Sequence, residues 1–313
     1  MLPCEKDNAE VEMRVKYVSR VTSLITCVLY LLCLIYGHNA SAESEHSRSD
    51  TTPQRIVVFP LYAEEILFEL VEPERIVYVG HRFVESGIGV WPTMEACRNV
   101  KGECWQNTSE EEILTLRPDL LIFGAALQDE FDEIFPLLAA SGIDTLFLDV
   151  PESVDAIVDT ITLLGDAVHN PEKAQSMISD MIISVEYAKH LTNSIPENEL
   201  KTAVLYGEPN IFFNIVTNLC NINGVYCDEV SALVEVNPDV IIVLPYCMDD
   251  GYLMAIGKAY CDAYVNSLEH KLSYIEGNDT FASKIRVLDF HGSQYIAASA
   301  IHLIEVMYSE YLN

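Results

Sequence analysis

Basic residues are scarce in this sequence. Only 18 Lys and Arg residues stand against 48 Asp and Glu residues in a chain of 313, so the formal net charge is −30. Because nucleic-acid binding requires a basic face, this balance argues against a nucleic-acid partner. It fits a cationic ligand, a basic docking partner or a salty environment, with most carboxylates on a solvated surface. Half of the residues are hydrophobic (50%), which argues against general disorder and allows two modest domains.

The short motifs of several enzyme classes are also missing. The chain has no G-x-S-x-G turn of the hydrolases and no G-x-x-x-x-G-K-[ST] phosphate loop. The glycines between Gly80 and Gly89 have the wrong spacing for a dinucleotide fingerprint, and no H-x-H or H-E-x-x-H pair is present to hold a metal. We therefore expect a protein that is not an enzyme, with no catalytic residues, no resident metal ion and no cofactor.

The N-terminal segment has the pattern of a targeting sequence. An apolar run, Val21 to Tyr36, follows three basic residues and precedes an A-x-A signal that ends at Ala42. This pattern predicts a signal peptide cleaved after Ala42, export to the periplasm, and translation that starts at Met1 or Met13. An uncleaved anchor on the outer face of the membrane is the alternative, although about 16 apolar residues are short for a membrane span. The residues around Cys27 are a poor match to a lipoprotein box.

Export to an oxidising compartment changes the interpretation of the cysteines. Six of the nine lie beyond the signal peptide and fall into local pairs, a pattern typical of disulfides in exported proteins. The predicted bridges join Cys97 to Cys104, Cys220 to Cys227, and Cys247 to Cys261. Six cysteines allow 15 connectivities, so the local pairing is one of several. A metal site is a further alternative, although no C-x-x-C occurs.

A long amphipathic helix organises the middle of the chain. It begins at Asn170-Pro171, because Asn is a good N-cap and Pro fits the first helical turn. Apolar residues then recur at steps of three and four and form one stripe: Ala174, Met177, Ile178, Met181, Val185 and Ala188. About 20 residues in a helix make a rod of roughly 30 Å. A shorter helix, Val154 to Val168, precedes it.

Similar sequences lie on both sides of this rod. The segments Ser109–Gly124 and Glu229–Leu244 each contain a helical pattern, a Pro-Asp step and an apolar strand, and the two Pro-Asp steps are 120 residues apart. Such strands are typical of parallel sheets buried on both faces. The predicted fold class is therefore α/β, with two Rossmann-like lobes of parallel-rich sheets joined by one long backbone helix and a ligand cleft between them. The alternative is a chance similarity of two βα units in one large domain.

The predicted boundaries follow from these elements. They are 1–42 for the signal peptide, 43–54 for a flexible lead-in, 55–150 for the N-terminal α/β lobe, 151–192 for the linking helices and 193–313 for the C-terminal α/β lobe. Strands are predicted at Arg55–Phe59, Ile76–Val79, Leu120–Phe123, Thr145–Leu148, Thr202–Leu205, Val240–Leu244 and Arg286–Leu288.

Open α/β sheets bind ligands beyond the carboxyl ends of their strands. The polar and aromatic residues that follow the predicted strands are therefore the candidate ligand-binding residues. They are Tyr62, His81, Arg82, Phe83, Trp105, Tyr206, Glu208, Phe212, Tyr246, Asp249 and His291. Two of them, His81 and His291, could each bind a metal centre within a ligand or form an ordinary hydrogen bond in the cleft.

The order of these segments resembles a known family, the ABC-importer substrate-binding proteins of the cobalamin, haem and ferric-siderophore group. The matching stretches are Arg55–Leu70, Glu74–Gly80, Glu111–Ile122, Leu164–Ala174 and Asn237–Val243. The resemblance implies two lobes joined by one helix, and docking carboxylates, one on each lobe, that meet basic residues of a permease. Glu111 occupies the docking position of the first lobe. The matching position of the second lobe is Ser231, a departure, and Glu229 is close enough to substitute.

The resemblance also suggests roles for candidate ligand contacts. Trp105 resembles the aromatic residue that cobalamin binders place against the corrin, and Phe212 and His291 fall near other ligand contacts of the group. Haem carriers of the group can use a tyrosine as iron ligand, which makes Tyr62 of interest. Haem and catecholate carriers also line their pockets with basic residues, for which Arg82 is the obvious candidate here.

Together these observations predict the extracytoplasmic substrate-binding component of an ABC importer. It would act as a monomer, capture an iron chelate (siderophore or haem) or a corrinoid in the cleft, and deliver it to a permease and ATPase complex. One alternative is an exported sensor or adhesion ectodomain without transport. Another is an enzyme on the same fold, such as a metal chelatase or a metal-cluster oxidoreductase.

Overall fold

The structure is a computed structural model of the chain. It describes residues 51–80, 100–102, 110–125, 135–193, 195–207, 210–244, 246–249, 252–256, 258–274, 279–288, 290 and 292–311. The predicted signal peptide lies outside these residues. Within them, no helix combines the length and the apolar character that a membrane crossing requires.

The first lobe is built on a five-stranded parallel sheet. Its strands are β1 (Ile56–Val58), β2 (Ile76–Val79), β3 (Lys101–Gly102), β4 (Leu120–Gly124) and β5 (Asp144–Leu148), in the order β3-β2-β1-β4-β5. Its helices are α1 (Leu61–Leu70), α2 (Glu110–Leu116), α3 (Phe135–Ala140) and α4 (Val154–Ala167), with a 3-10 turn at Pro73–Arg75. The central strand β1 is buried throughout, as its continuous apolar sequence predicts.

The second lobe follows the linking helix α5 (Pro171–Asn193) and a 3-10 turn at Glu197–Glu199. Its elements are β6 (Thr202–Tyr206), α6 (Ile211–Leu219), β7 (Asn223–Cys227), α7 (Val230–Val236), β8 (Val240–Val243), β9 (Tyr246–Asp249), β10 (Tyr252–Ile256), α8 (Lys258–Leu272), α9 (Asp279–Ala282), β11 (Ile285–Val287) and α10 (Ile296–Tyr308), with a last 3-10 turn at Ser309–Tyr311. Four parallel strands form its main sheet, in the order β11-β8-β6-β7.

The two sheets share one strand order. In the first lobe β2, β1, β4 and β5 are neighbours, and in the second lobe β7, β6, β8 and β11 are neighbours. Each lobe therefore places its second, first, third and fourth main strands side by side. The two lobes differ in two respects: β3 extends the sheet of the first lobe, and β9 and β10 form a separate antiparallel hairpin in the second.

The long helix α5 confirms the helix predicted from its apolar period. All six residues of the predicted stripe, Ala174 to Ala188, are buried. Its 23 residues correspond to a length of about 34 Å. Helix α4 crosses it closely at Gly165, where an added Cβ would lie 2.4 Å from the Cβ of Ala174. At the start of α4, Ser153 Oγ accepts a hydrogen bond of 3.1 Å from Ala156 N and caps the helix.

One hydrophobic core spans both lobes. It joins residues of β1 and α4 in the first lobe to α5, and α5 to α6 and α10 in the second lobe; Ile161, Met181 and Ile304 are examples. The opposite face of each sheet has its own smaller core. The lobes therefore pack against each other through the helix layers that contain α5, and residues 51–313 behave as one compact unit in their contacts.

The repeated Pro-Asp steps have one structural role in both lobes. Asp119 accepts hydrogen bonds from Gln54 N at 2.7 Å and Arg55 N at 2.8 Å, just before β1. Asp239 accepts one from Thr202 N at 2.8 Å, at the start of β6. Each aspartate thus fixes the beginning of its lobe's first strand. These matching contacts and the shared strand order favour two related lobes over a chance similarity.

The last residues of the predicted lead-in are held by the fold. The carbonyl oxygen of Pro53 accepts a hydrogen bond of 2.8 Å from Arg75 Nε, and Gln54 N donates to Asp119. Pro53 is buried. The folded part therefore includes these two residues, which the sequence assigned to a flexible segment.

The predicted bridge between Cys220 and Cys227 is wrong, because both are free thiols. Cys220 directly follows α6 and its thiol donates to Ala300 O at 3.4 Å, whereas Cys227 ends β7 and its thiol donates to Glu229 O at 2.8 Å. The two side chains belong to different hydrophobic cores, Cys220 to the core shared by both lobes and Cys227 to the outer core of the second lobe. Cys97 and Cys104 lie outside the described residues. The bridge between Cys247, in β9, and Cys261, in α8, stays a prediction.

Candidate functional site

The carboxyl ends of the parallel strands form the candidate ligand-binding edge of each lobe. In a doubly wound sheet the crevice opens where the connections diverge, which is between β1 and β4 in the first lobe and between β6 and β8 in the second. Gly124 ends β4 beside this crevice, and an added Cβ there would meet no atom of the described residues within 4 Å. The described residues therefore leave space at the end of β4.

Tyr62 lies in the core next to this edge. Its side chain is buried, and its hydroxyl donates to Leu148 O at 3.1 Å and to Asp149 O at 3.0 Å. Burial and the nearby Asp149 carboxylate raise the pKa of Tyr62. A tyrosine ligand to iron binds as the phenolate, so this environment opposes the role that the sequence suggested. Through these hydrogen bonds, Tyr62 holds α1 against the end of β5.

Tyr206 ends β6 at the edge of the second lobe. It is buried, and its ring lies 6.1 Å from the ring of Tyr264, centroid to centroid, at a tilt of 48°. Burial raises the pKa of Tyr206, and the neighbouring Cys227, Asp228 and Glu229 add to the effect. The hydroxyl therefore stays protonated at neutral pH and can act as a hydrogen-bond donor.

Phe212 stands at the start of α6, on the same edge. Asn210 caps this helix, since its Oδ1 accepts hydrogen bonds from Phe212 N at 2.9 Å and from Phe213 N at 3.1 Å. The half-buried ring of Phe212 packs on Gly292, where an added Cβ would lie 2.2 Å from the ring. The cap and the glycine together fix an aromatic surface at the strand ends of the second lobe.

Most of the other candidate ligand contacts are not described. His81, Arg82, Phe83, Trp105, Glu208 and His291 lie outside the described residues. Tyr246 and Asp249 begin and end β9, so they belong to the separate antiparallel hairpin of β9 and β10. Among the described residues, no group of three His, Cys, Asp or Glu side chains could hold a metal ion.

Sequence reasoning missed a buried polar contact between the lobes. We call it the interlobe cluster; its members are Glu65 and Glu69 of α1 and Ser293, Gln294 and Tyr295, which precede α10. The hydroxyl of Ser293 donates to Glu65 Oε2 at 2.5 Å. Gln294 Nε2 donates to Glu65 O at 3.1 Å and to Glu69 Oε2 at 3.0 Å, and the Tyr295 hydroxyl donates to Glu69 Oε2 at 3.3 Å.

The cluster connects segments that are more than 220 residues apart in the chain. Burial, followed by the Glu69 carboxylate, raises the pKa of Tyr295 to about 12, so its hydroxyl remains a donor to that carboxylate. The one sequence signal was the pair Glu64-Glu65 in the mostly apolar helix α1, where both side chains are buried. Buried carboxylates of this kind require partners from elsewhere in the fold.

A cavity of about 420 Å³ lies among the helices. It is lined by Glu152, Ser153, Val154, Lys189, Thr192, Asn193, Ile215, Asn218, Leu219 and Asn221. These residues belong to the start of α4, the end of α5, and α6 with the residues that follow it. Of the candidate ligand-binding residues that the structure describes, Tyr62, Tyr206 and Phe212 do not line it.

The two candidate docking carboxylates are on the surface. Glu111 is exposed in the first turn of α2. Glu229 is exposed directly before α7, and its Oε2 accepts a hydrogen bond of 3.1 Å from Ser231 Oγ. Ser231 occupies the position in the second lobe that is equivalent to Glu111. It therefore contacts Glu229, the carboxylate that could take the docking role in that lobe.

Comparison with known proteins gives consistent results. Residues 99–218 match the family described as periplasmic binding protein. A curated relative, the uncharacterized ABC transporter substrate-binding lipoprotein YvrC of Bacillus subtilis (strain 168), is 20% identical over 184 residues, which are 54% of this chain and 57% of the relative. This chain thus matches little more than half the length of that relative.

Solved structures share the fold. The periplasmic heme-binding protein RhuT from Roseiflexus sp. RS-1, in its apo form, aligns with a TM-score of 0.63 and 17% identity over 82% of this chain and 99% of that one. A possible iron-binding (periplasmic solute-binding) protein from Staphylococcus epidermidis ATCC 12228 aligns with a TM-score of 0.59 and 18% identity over 82% of this chain and 100% of that one. These findings confirm the resemblance drawn from the sequence: residues 99–218 match the model of the periplasmic binding protein family, and the chain shares the two-lobed α/β fold of the solved structures.

Proposed function

We propose that this chain is the extracytoplasmic substrate-binding component of an ABC importer. It captures an iron chelate (siderophore or haem) or a corrinoid between its lobes and delivers it to a permease. The observation that carries the proposal is the pair of parallel sheets with one strand order, joined by the single helix α5. Because a fold does not define a ligand, the ligand class rests on further support. That support comes from the two similar solved structures, one of a heme-binding protein and one of a possible iron-binding protein.

The described part of the site suits a flat, partly apolar ligand. Phe212 offers a fixed aromatic face at the strand ends of the second lobe, and Tyr206, buried in the outer core of that lobe, supports the same edge. Stacked aromatic faces bury such a ligand and a few polar groups orient it, so no acid–base pair is needed. The proposed site is completed by His81, Arg82, Phe83, Trp105, Glu208, Tyr246, Asp249 and His291.

The packing of the lobes favours binding with little movement. The shared core and the interlobe cluster would both have to open if the lobes rotated apart by a large angle. Capture then requires side-chain adjustment rather than closure of one lobe on the other. We expect ligand-free and ligand-bound protein to have matching radii of gyration in X-ray scattering; a closure of tens of degrees would contradict this.

Docking to the permease is proposed to use Glu111 and Glu229. Both carboxylates are exposed, and the net charge of −30 attracts a basic surface from a distance. The partner is therefore proposed to present basic residues opposite each lobe. Delivery from outside the cytoplasm also requires export, for which the predicted signal peptide and the lipoprotein description of the curated relative are the support.

Ligand titration tests the proposal. The mature chain, residues 43–313, is titrated with haem, cobalamin, cobinamide and a panel of ferric siderophores, and tryptophan quenching is followed. Saturable quenching by one of them at sub-micromolar concentration, reduced in Phe212→Ala, is the expected result. An absence of response to every compound would contradict the ligand class and favour an exported sensor for another ligand.

A further inference from the structure

The 120-residue repeat places one short helix at the same position in each lobe. The helices α2 (Glu110–Leu116) and α7 (Val230–Val236) each have seven residues, and their bounds differ by the same 120 residues. Each is followed by a residue with positive φ, Arg117 at 48° or Asn237 at 45°. Each then leads into the strand beside the first strand of its lobe. Residues 120 apart on the two helices therefore occupy equivalent positions in their lobes.

A large apolar side chain stays exposed at one of these equivalent positions. Leu114 and Val234, again 120 residues apart, each expose 42% of their surface. The preceding residues, Ile113 and Leu233, are 1% and 0% exposed and belong to the outer cores of their lobes. A single exposed leucine or valine needs no explanation. Its recurrence at the same position with the same exposure points to a contact that both helices make.

Acidic residues surround both exposed side chains. On α2, Glu111 and Glu112 are exposed one turn or less before Leu114. Near Val234, Glu235 is exposed on the same helix and Glu229 is exposed directly before it. An apolar centre within an acidic rim is complementary to an apolar pocket within a basic rim.

We propose that Leu114 and Val234 are the apolar centres of two equivalent docking contacts, and that their partner is a permease with two like pockets, each apolar with a basic rim. A permease built from two copies of one subunit meets this requirement, because its symmetry repeats any pocket. A partner with one docking surface would leave one of the two helices unused. The inference rests on the proposed function, since it adds an apolar contact to the docking carboxylates of the same complex.

The two contacts are expected to be unequal. Leucine buries more apolar surface than valine. In addition, α2 has a carboxylate at the docking position, Glu111. The equivalent position on α7 is Ser231, so the docking carboxylate there would be Glu229, two residues earlier. Desolvated apolar contacts mainly slow dissociation, whereas rim charges mainly speed association and respond to salt. Truncation of either apolar side chain should therefore raise the dissociation rate, with the larger effect at Leu114.

The test measures binding of the mature chain to the permease–ATPase complex in lipid nanodiscs. The complex used is the one that supports uptake together with the wild-type chain. Leu114→Ala, Val234→Ala and the double variant are compared with Leu163→Ala, a matched control whose side chain is 37% exposed on α4. Leu114→Met keeps the apolar character, and binding of haem and cobalamin is titrated for every variant.

We expect about tenfold weaker docking for Leu114→Ala and about threefold for Val234→Ala, through faster dissociation at low and high salt alike. Leu114→Met and Leu163→Ala should dock like the wild type, and ligand binding should be unchanged throughout. If the wild type docks and the alanine variants dock equally well, the inference is wrong while the proposed function stands. If the wild type binds its ligand but docks to no permease, the inference and the docking part of the proposed function are both overturned.

Discussion

Replacing Ser293 by alanine removes a buried contact between the lobes, together with a longer hydrogen bond of 3.4 Å from Tyr295 N within the same segment. The Ser293 hydroxyl donates a hydrogen bond of 2.5 Å to Glu65 Oε2, and both side chains are buried. The variant deprives a buried carboxylate of one donor without adding volume. A hydrogen bond to a charged group is worth about 1.5–3 kcal/mol when its partner is left buried. We therefore expect Ser293→Ala to lower the free energy of unfolding by about 2 kcal/mol.

Urea denaturation of the mature chain measures this loss. A single transition is expected because one core spans both lobes, so the unfolding free energy is well defined. The matched control is Ser231→Ala, which removes a hydrogen bond of 3.1 Å to Glu229 between exposed side chains. The control should cost less than about 0.5 kcal/mol, because water replaces the lost donor. If Ser293→Ala were no more destabilising than Ser231→Ala, the buried cluster would not contribute to holding the lobes together.

Four further predictions follow from the described contacts. Asp119→Ala should destabilise the chain more than Asp239→Ala, by about 1 kcal/mol, because, within the described part of the chain, Asp119 accepts two backbone hydrogen bonds and Asp239 accepts one; equal losses in urea denaturation would contradict this. The pKa of Tyr295 is raised from 10.0 to about 12, so its contribution to stability is present below pH 10 and is lost as the pH rises towards 12. Tyr295→Phe should flatten that decline in unfolding free energy, and an unchanged slope would refute the assignment. The Cys220 thiol is buried and its pKa is raised to about 12, so it should react with a thiol reagent only after unfolding; modification of the native chain at Cys220, detected by mass spectrometry, would contradict its placement. Gly165→Val should cost about 3 kcal/mol or more, since an added Cβ already lies 2.4 Å from a neighbouring side chain, and a melting temperature equal to that of the wild type would show that the helices do not cross there.

The sequence predicted the long helix and the repeat well, and the physical reason is periodicity. A stripe repeated over 20 residues allows one interpretation, and all six predicted positions of α5 are buried. The Pro-Asp repeat was equally specific, because a proline ends the helix and the following apolar run fits a buried strand. The sequence does not show the role of the two aspartates. In the structure each one accepts backbone hydrogen bonds at the start of the first strand of its lobe.

Other elements could not be predicted from local pattern. Strand β7 contains Asn223 and Gly224, which disfavour strands, and it is held in the sheet by its pairing with β6. Cys220 lies before this strand and Cys227 at its end, and their side chains point into different hydrophobic cores, so two cysteines close in sequence do not pair. Tyr62 follows a strand, but sequence spacing does not reveal that its hydroxyl points to the carbonyls after β5.

The interlobe cluster shows the limit most clearly. Ser293 and Glu65 are 228 residues apart, and neither belongs to a motif. Their contact arises from the packing of α1 against the segment before α10, which depends on the whole two-lobed arrangement. Such contacts follow from tertiary structure alone, because side-chain pairing between distant elements has no local signature.

Uptake by cells is the direct test of a role in import. A strain that lacks this chain is supplied with limiting concentrations of the labelled compound that gives saturable quenching in the titration, and accumulation inside the cells is measured. We predict that uptake falls to background, returns with the wild-type gene, and does not return with a Phe212→Ala variant of lowered ligand affinity. Undiminished uptake in the strain without the chain would contradict a role in import and would favour an exported ligand sensor.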